Sequence, residues 1–191
     1  MKIKYHILPL ITWLLLSYTQ IIRAGTLNQT INFNATFYGG TCEITAPGEL
    51  FFNNGNPIND DDIPGERIFQ KFNVMLNGCR GYFMSPKISV SGNTITTSGN
   101  MKLFADTTST TKGYGVRVAT EGNTRFNANN NVSVNNIISA KNWPVSGSND
   151  MTKLNGVLEF TGYLSCGSCT PGYTLNGGEL KSTVTFSFLY N

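Results

Sequence analysis

Residues 181–190 read Lys181-Ser182-Thr183-Val184-Thr185-Phe186-Ser187-Phe188-Leu189-Tyr190. Val184, Phe186, Phe188 and Tyr190 stand at every second place with Thr185, Ser187 and Leu189 between them, which is the period of a strand with one face buried and the other in solvent. The same period recurs upstream. It appears in Ile31-Asn32-Phe33-Asn34-Ala35-Thr36-Phe37, in residues 69–76 with Phe72, Val74 and Leu76 on one face, and in residues 87–91, 115–119 and 157–164. Between these runs lie turn-formers: Asn53-Asn54-Gly55-Asn56-Pro57, Ser91-Gly92-Asn93, Glu121-Gly122-Asn123 and Ser146-Gly147-Ser148-Asn149. Asn and Gly accept the positive φ of tight turns. Short alternating runs at this spacing predict an all-β protein built as a β-sandwich. Residues 124–150 are Asn-rich and weakly patterned, and read as a long loop with one short strand at 132–138. We find no internal repeat and no interdomain linker.

The beginning of the chain sets the expected compartment. Lys2 and Lys4 precede an apolar stretch at residues 7–16, followed by a more polar tail to Ala24. This is the pattern of a secretory signal peptide, with cleavage expected after Ala24. The stretch is shorter than the roughly 20 apolar residues a spanning helix needs. Residues 25–191 are then expected to form one domain, a length that can bury a real core. Removing residues 1–24 takes away Lys2, Lys4 and Arg23 but no acid, so 14 basic against 11 acidic residues becomes 11 against 11. A near-neutral chain gives no electrostatic reason to expect nucleic acid as a partner. His6, the single histidine, leaves with the same segment. That excludes histidine-based triads and His-ligated zinc, and the expectation is a protein that is not an enzyme and holds no cofactor and no metal.

Cys42, Cys79, Cys166 and Cys169 all remain after cleavage. In an exported chain an even cysteine count favours disulfides, and four cysteines allow three pairings. Cys166-Gly167-Ser168-Cys169 has the spacing of a redox pair, but that chemistry needs the first thiolate stabilised at a helix N-terminus. Here the stretch follows a strand and runs into Thr170-Pro171-Gly172, so it reads as a small disulfide pinning the loop before the last strand. An exported thiol oxidoreductase is the rival. Asp60-Asp61-Asp62 suggests calcium only weakly, because a solvated acidic turn explains it as well.

Fourteen residues close the chain, beginning Gly178-Glu179-Leu180 and ending Leu189-Tyr190-Asn191. With Gly fourteenth from the end, alternating apolar residues and a penultimate Tyr, they resemble the C-terminal motif of pilins assembled by the chaperone–usher pathway. Two further stretches are similar to that family. One is Phe33 followed by Cys42 and then Phe72-Asn73-Val74-Met75-Leu76-Asn77-Gly78-Cys79, and the other is Leu158-Glu159-Phe160-Thr161-Gly162-Tyr163. The matches extend from residue 31 to the end of the chain.

The resemblance implies an incomplete immunoglobulin-like sandwich, the pilin fold, lacking its final strand and completed by a donated one. It implies a Cys42–Cys79 disulfide and a groove lined by Gly178, Val184, Phe186, Phe188 and Tyr190. The carboxylate of Asn191 would be held by a chaperone's basic residues. Partners implied are a periplasmic pilus chaperone, an outer-membrane usher and other fimbrial subunits, with export through the periplasm to a fimbrium at the cell surface. The donor end departs from the family pattern: Gln29 stands where those proteins carry Gly. Residues 25–30 form a short donor extension whose apolar pegs are Leu27 and Ile31. The expected function is a structural subunit of an adhesive fimbrium. The alternative is a minor tip or adhesive binding subunit recognising a host glycan or protein, with the Asn-rich region as its surface.

Overall fold

A computed structural model describes residues 40–82, 85–143, 149–170 and 174–190. The expected signal segment, Leu27, Ile31, the run at 31–37 and Asn191 lie outside the described residues. Nine strands follow in chain order: β1 (Gly40–Thr45), β2 (Phe69–Gly81), β3 (Lys87–Ser91), β4 (Thr94–Thr96), β5 (Lys102–Phe104), β6 (Gly115–Ala119), β7 (Ile137–Ser139), β8 (Gly156–Ser165) and β9 (Thr185–Leu189). Apart from three short 3-10 turns, at Phe52–Gly55, Asp60–Asp62 and Met151–Leu154, there is no helix among the described residues. None there is long and apolar enough to cross a membrane.

Two antiparallel sheets form a sandwich. One has the order β1-β2-β8-β6-β5-β4 and the other β7-β3-β9. Alternation decides which side chains fill the space between them. Val74 and Leu76 of β2, Leu158 and Phe160 of β8, Val116 and Val118 of β6, and Ile88 and Val90 of β3 all enter one core. Phe72, Phe160 and Phe186 carry the contact from sheet to sheet, with ring centroids 5.0 Å apart for Phe160–Phe186 and 6.0 Å for Phe72–Phe186. Edge-to-face pairs of this kind contribute about 0.5–1.5 kcal/mol beyond their buried area. Ile63, Tyr114, Leu164 and Cys166 form a second, smaller cluster.

The parity of β2 changes along its length. Val74 and Leu76 point inward, Asn77 and Gly78 are exposed, and then Cys79 is fully buried. The reset is a β-bulge. Thr41 pairs with Arg80 and Glu43 with Asn77, so Cys42 alone faces Gly78 and Cys79. Gly78 has φ +59°, a conformation glycine adopts without a Cβ clash. Because the bulge turns Cys79 to the inner face, it meets Cys42 there, and the two form a disulfide spanning 37 residues. Closing such a loop contributes about 3–4 kcal/mol in the chain-entropy account. Cys166 and Cys169 form the second disulfide.

The Asn-rich region differs from its reading as a loose loop. The strand expected at 132–138 is instead a turn followed by β7, and Phe126 and Val132 are buried. Side-chain amides hold the region where alternation is missing. Asn123 Oδ1 accepts from the backbone N–H of Arg125 and Phe126, Asn129 Oδ1 from Asn131 N, and Asn131 Oδ1 from Ser133 N. Asn129 Nδ2 donates to the carbonyls of Asn135 and Ile137, and Asn131 Nδ2 to that of Lys102. Asx turns of this kind compete with regular ladders, which is why no strand period is visible there. The run at 181–190 is shorter as a strand than the alternation implied, since β9 begins at Thr185.

Candidate functional site: the free edge of the last strand

Residues 179–189 alternate between exposed and half-buried without a break, with Leu180, Ser182, Val184, Phe186 and Phe188 inward. Two partners hold this extended run in turn. Its first part lies against residues 106–112. Lys181 O accepts from Asp106 N and Glu179 O from Thr110 N, while Glu179 N donates to Thr110 Oγ1 and Lys181 N to Ser109 Oγ. Gly178 sits at the start of this strap with φ +153°, and a Cβ there would lie 2.6 Å from Thr110 Oγ1. Its side-chain-free position therefore permits the close approach of residue 110, away from the apolar row. The second part is β9, paired with β3 through Thr185–Ser91, Ser187–Ser89 and Leu189–Lys87.

In an extended chain the N–H and C=O of one residue point to the same side, and the next residue points to the other. Glu179 and Lys181 point at residues 106–110, so Leu180, Ser182 and Val184 point away from them. Val90 N donates to Asn136 O on the β7 side, so the Val90–Phe186 pair leaves the backbone of Phe186 directed away from β3. Phe188, two residues on, is directed the same way. No hydrogen bond from the backbone of Leu180, Ser182 or Val184 is present among the described residues, and β9 has no strand partner there besides β3. The result is one continuous edge whose residues also present their side chains inward.

β1, the outer strand of the other sheet, lies close to β9. Cys42 and Ile44 on β1, Phe72 on β2, and Leu180, Val184, Phe186 and Phe188 all pack on the core yet stay only half-buried. Their neighbours on the inner strands, Val74, Leu76, Ile88, Val90, Leu158 and Phe160, are at most 1% exposed. Among the described residues, these half-buried side chains gather along a seam between β1 and β9. Tyr190 continues the row at 37% exposure with its ring 6.3 Å from Phe188. Of the residues expected at the groove, Val184, Phe186, Phe188 and Tyr190 come together here. The sequence reading did not assign Ile44, Phe72, Leu180 or Ser182 to the groove, although Leu180 and Ser182 continue the alternation already visible downstream.

Other candidates fall elsewhere. Cys166 follows β8 and is buried, its carbonyl accepting from Ser98 Oγ at 2.9 Å, and Ser98 O accepts from Ser168 N at 3.1 Å. Asp60, Asp61 and Asp62 form one exposed 3-10 turn, and no group of three or more acidic, Cys or His side chains converges among the described residues. On the outer face of the larger sheet, Arg117 Nε donates to Glu66 Oε1 at 2.8 Å and to Oε2 at 3.0 Å. Its guanidinium lies 4.2 Å from the centre of the Tyr163 ring. Burial pushes Glu66 up, but the hydrogen bonds and positive charge of Arg117 outweigh it and hold the carboxyl below its ordinary value. No protein-family model matches the chain, and no curated protein matches it.

Proposed function

We propose that this chain is a structural subunit of an adhesive fimbrium, assembled by the chaperone–usher route, in which a strand donated by a partner fills the seam between β1 and β9. The observation that carries the reading is the row from Leu180 to Phe188, whose half-buried side chains face inward while its backbone groups point at an edge with no described partner. Such an edge is an aggregation hazard in isolation. Adding a strand satisfies its main-chain groups and covers its apolar pockets together.

The strand order supports the same reading. β1-β2-β8-β6 opposite β3-β9 corresponds to the order A-B-E-D opposite C-F of an immunoglobulin-like sandwich, with no counterpart of strand G among the described residues. The resemblance of the last fourteen residues to pilin C-termini supplies the biological setting.

Co-expression in a bacterial periplasm with a pilus chaperone tests this. The intact chain should form a soluble complex, and a chain lacking residues 185–191 should not. Because the truncation also removes packing, a second variant separates folding from edge blocking. Val184→Pro deletes an N–H aimed at the free edge and breaks no hydrogen bond within the described residues, since proline only removes a donor there. It should fold yet lose the complex. A soluble monomer indifferent to the chaperone would overturn the proposal.

A further inference from the structure

Among the described residues, two side-chain hydroxyls are buried without a hydrogen-bond partner, those of Thr111 and Ser182. Only Ser182 lies on the inward row that faces the open edge. Its neighbours two places away, Leu180 and Val184, pack on the core, and the residue itself remains half-buried. An apolar wall built to receive only apolar side chains has no use for this group, because a hydroxyl left unpaired beneath a covering strand is destabilising. Serine χ1 has three staggered wells, so a change of rotamer can re-aim the oxygen at an incoming partner. The backbone N–H and C=O of Ser182 are directed at the same edge, so an incoming strand passes directly over it.

We infer that the seam has a polar subsite at Ser182, and that the segment it accepts, on the strand-accepting reading above, is not apolar throughout. It carries a hydrogen-bonding side chain of the Ser, Thr or Asn class at the place facing Ser182. Apolar side chains stand at the alternate places that cover Val184, Phe186 and Phe188. The subsite fixes register. A segment slipped by two residues puts an apolar group on the hydroxyl and a polar group on Val184 or Leu180, and both mismatches weaken it.

Fluorescently labelled peptides with an alternating Val host, into which one Thr is moved through successive alternate positions, read this out against the full chain. Thr and Val have nearly the same shape, so only the hydroxyl changes. One position should bind about 10-fold tighter as Thr than as Val, the difference expected of one recovered hydrogen bond. In Ser182→Ala that preference should fall below about 2-fold while the all-Val peptide binds at least as well as before. Peptides that bind wild-type chain with no Thr preference at any position overturn the polar subsite and leave the strand-accepting seam intact. If no peptide of the series binds, the strand-accepting reading falls, and the subsite falls with it.

Discussion

Glu66 and Arg117 are the pair of charged side chains whose geometry most constrains them. Each is about one-fifth exposed, and Arg117 also meets the carbonyl of Asn130 and the face of Tyr163. Glu66 holds φ +55°, a backbone conformation that costs energy unless its surroundings impose it. Paired on two sides, the carboxylate keeps its proton off to lower pH than an unfolded chain would. Its contribution is therefore complete above about pH 4.5, the unperturbed value, and disappears as pH falls below that. Glu66→Gln should lower unfolding free energy by about 1–2 kcal/mol at pH 7, and the gap between the two proteins should narrow as pH falls below about 4.5. Urea denaturation above and below that pH checks this, and a gap that persists undiminished in acid would show that lost packing, not charge, is responsible. Nothing in the sequence joined these residues, which lie 51 positions apart. Pairings of this kind depend on a register that only the folded sheet supplies.

Elements differ in how openly the sequence declares them. β2, β3, β6 and β8 were legible because each runs for at least five residues with apolar side chains at alternate places on the core face, so the two-residue period has room to repeat. β4 and β5 have three residues each, and in β5 Leu103 and Phe104 are consecutive and both buried, which leaves no period to read. The Asn-rich segment hides for a different reason: its order comes from side-chain amides. Asn129 is 8% exposed and bridges Asn131 N to the carbonyls of Asn135 and Ile137. Asn129→Ala should cost about 2–3 kcal/mol, since it removes the bonds and leaves their partners unpaired. Asn127→Ala, on an exposed neighbour, should stay within about 0.5 kcal/mol. Thermal unfolding of the two variants distinguishes a built scaffold from the loose loop that composition suggested. Equal, small effects would restore the loose loop.

At the scale of the molecule, the two sheets are held together by three rings that do not share the same fate. Phe160 is fully buried, whereas Phe72 and Phe186 touch it from the seam and are only half-covered. The alternation of residues 181–190 made Phe186 legible as inward-facing. It did not reveal that inward here means only partly enclosed, because enclosure depends on what lies beside β9 and not on β9 itself. Partial cover limits what a ring contributes, since transfer free energy follows the area removed from water. In the chain alone Phe160→Ala should cost about 3–5 kcal/mol and Phe186→Ala about 2 kcal/mol. If a strand fills the seam as proposed, Phe186 becomes a core residue in its own right, and its truncation should then cost about 3–4 kcal/mol. Denaturant unfolding of both variants, with and without a bound strand peptide, measures the narrowing directly. A Phe186 cost that stays the same in the complex would mean that the strand does not lie over the β9 row. The half-buried rings would then belong to a sandwich that tolerates an open side.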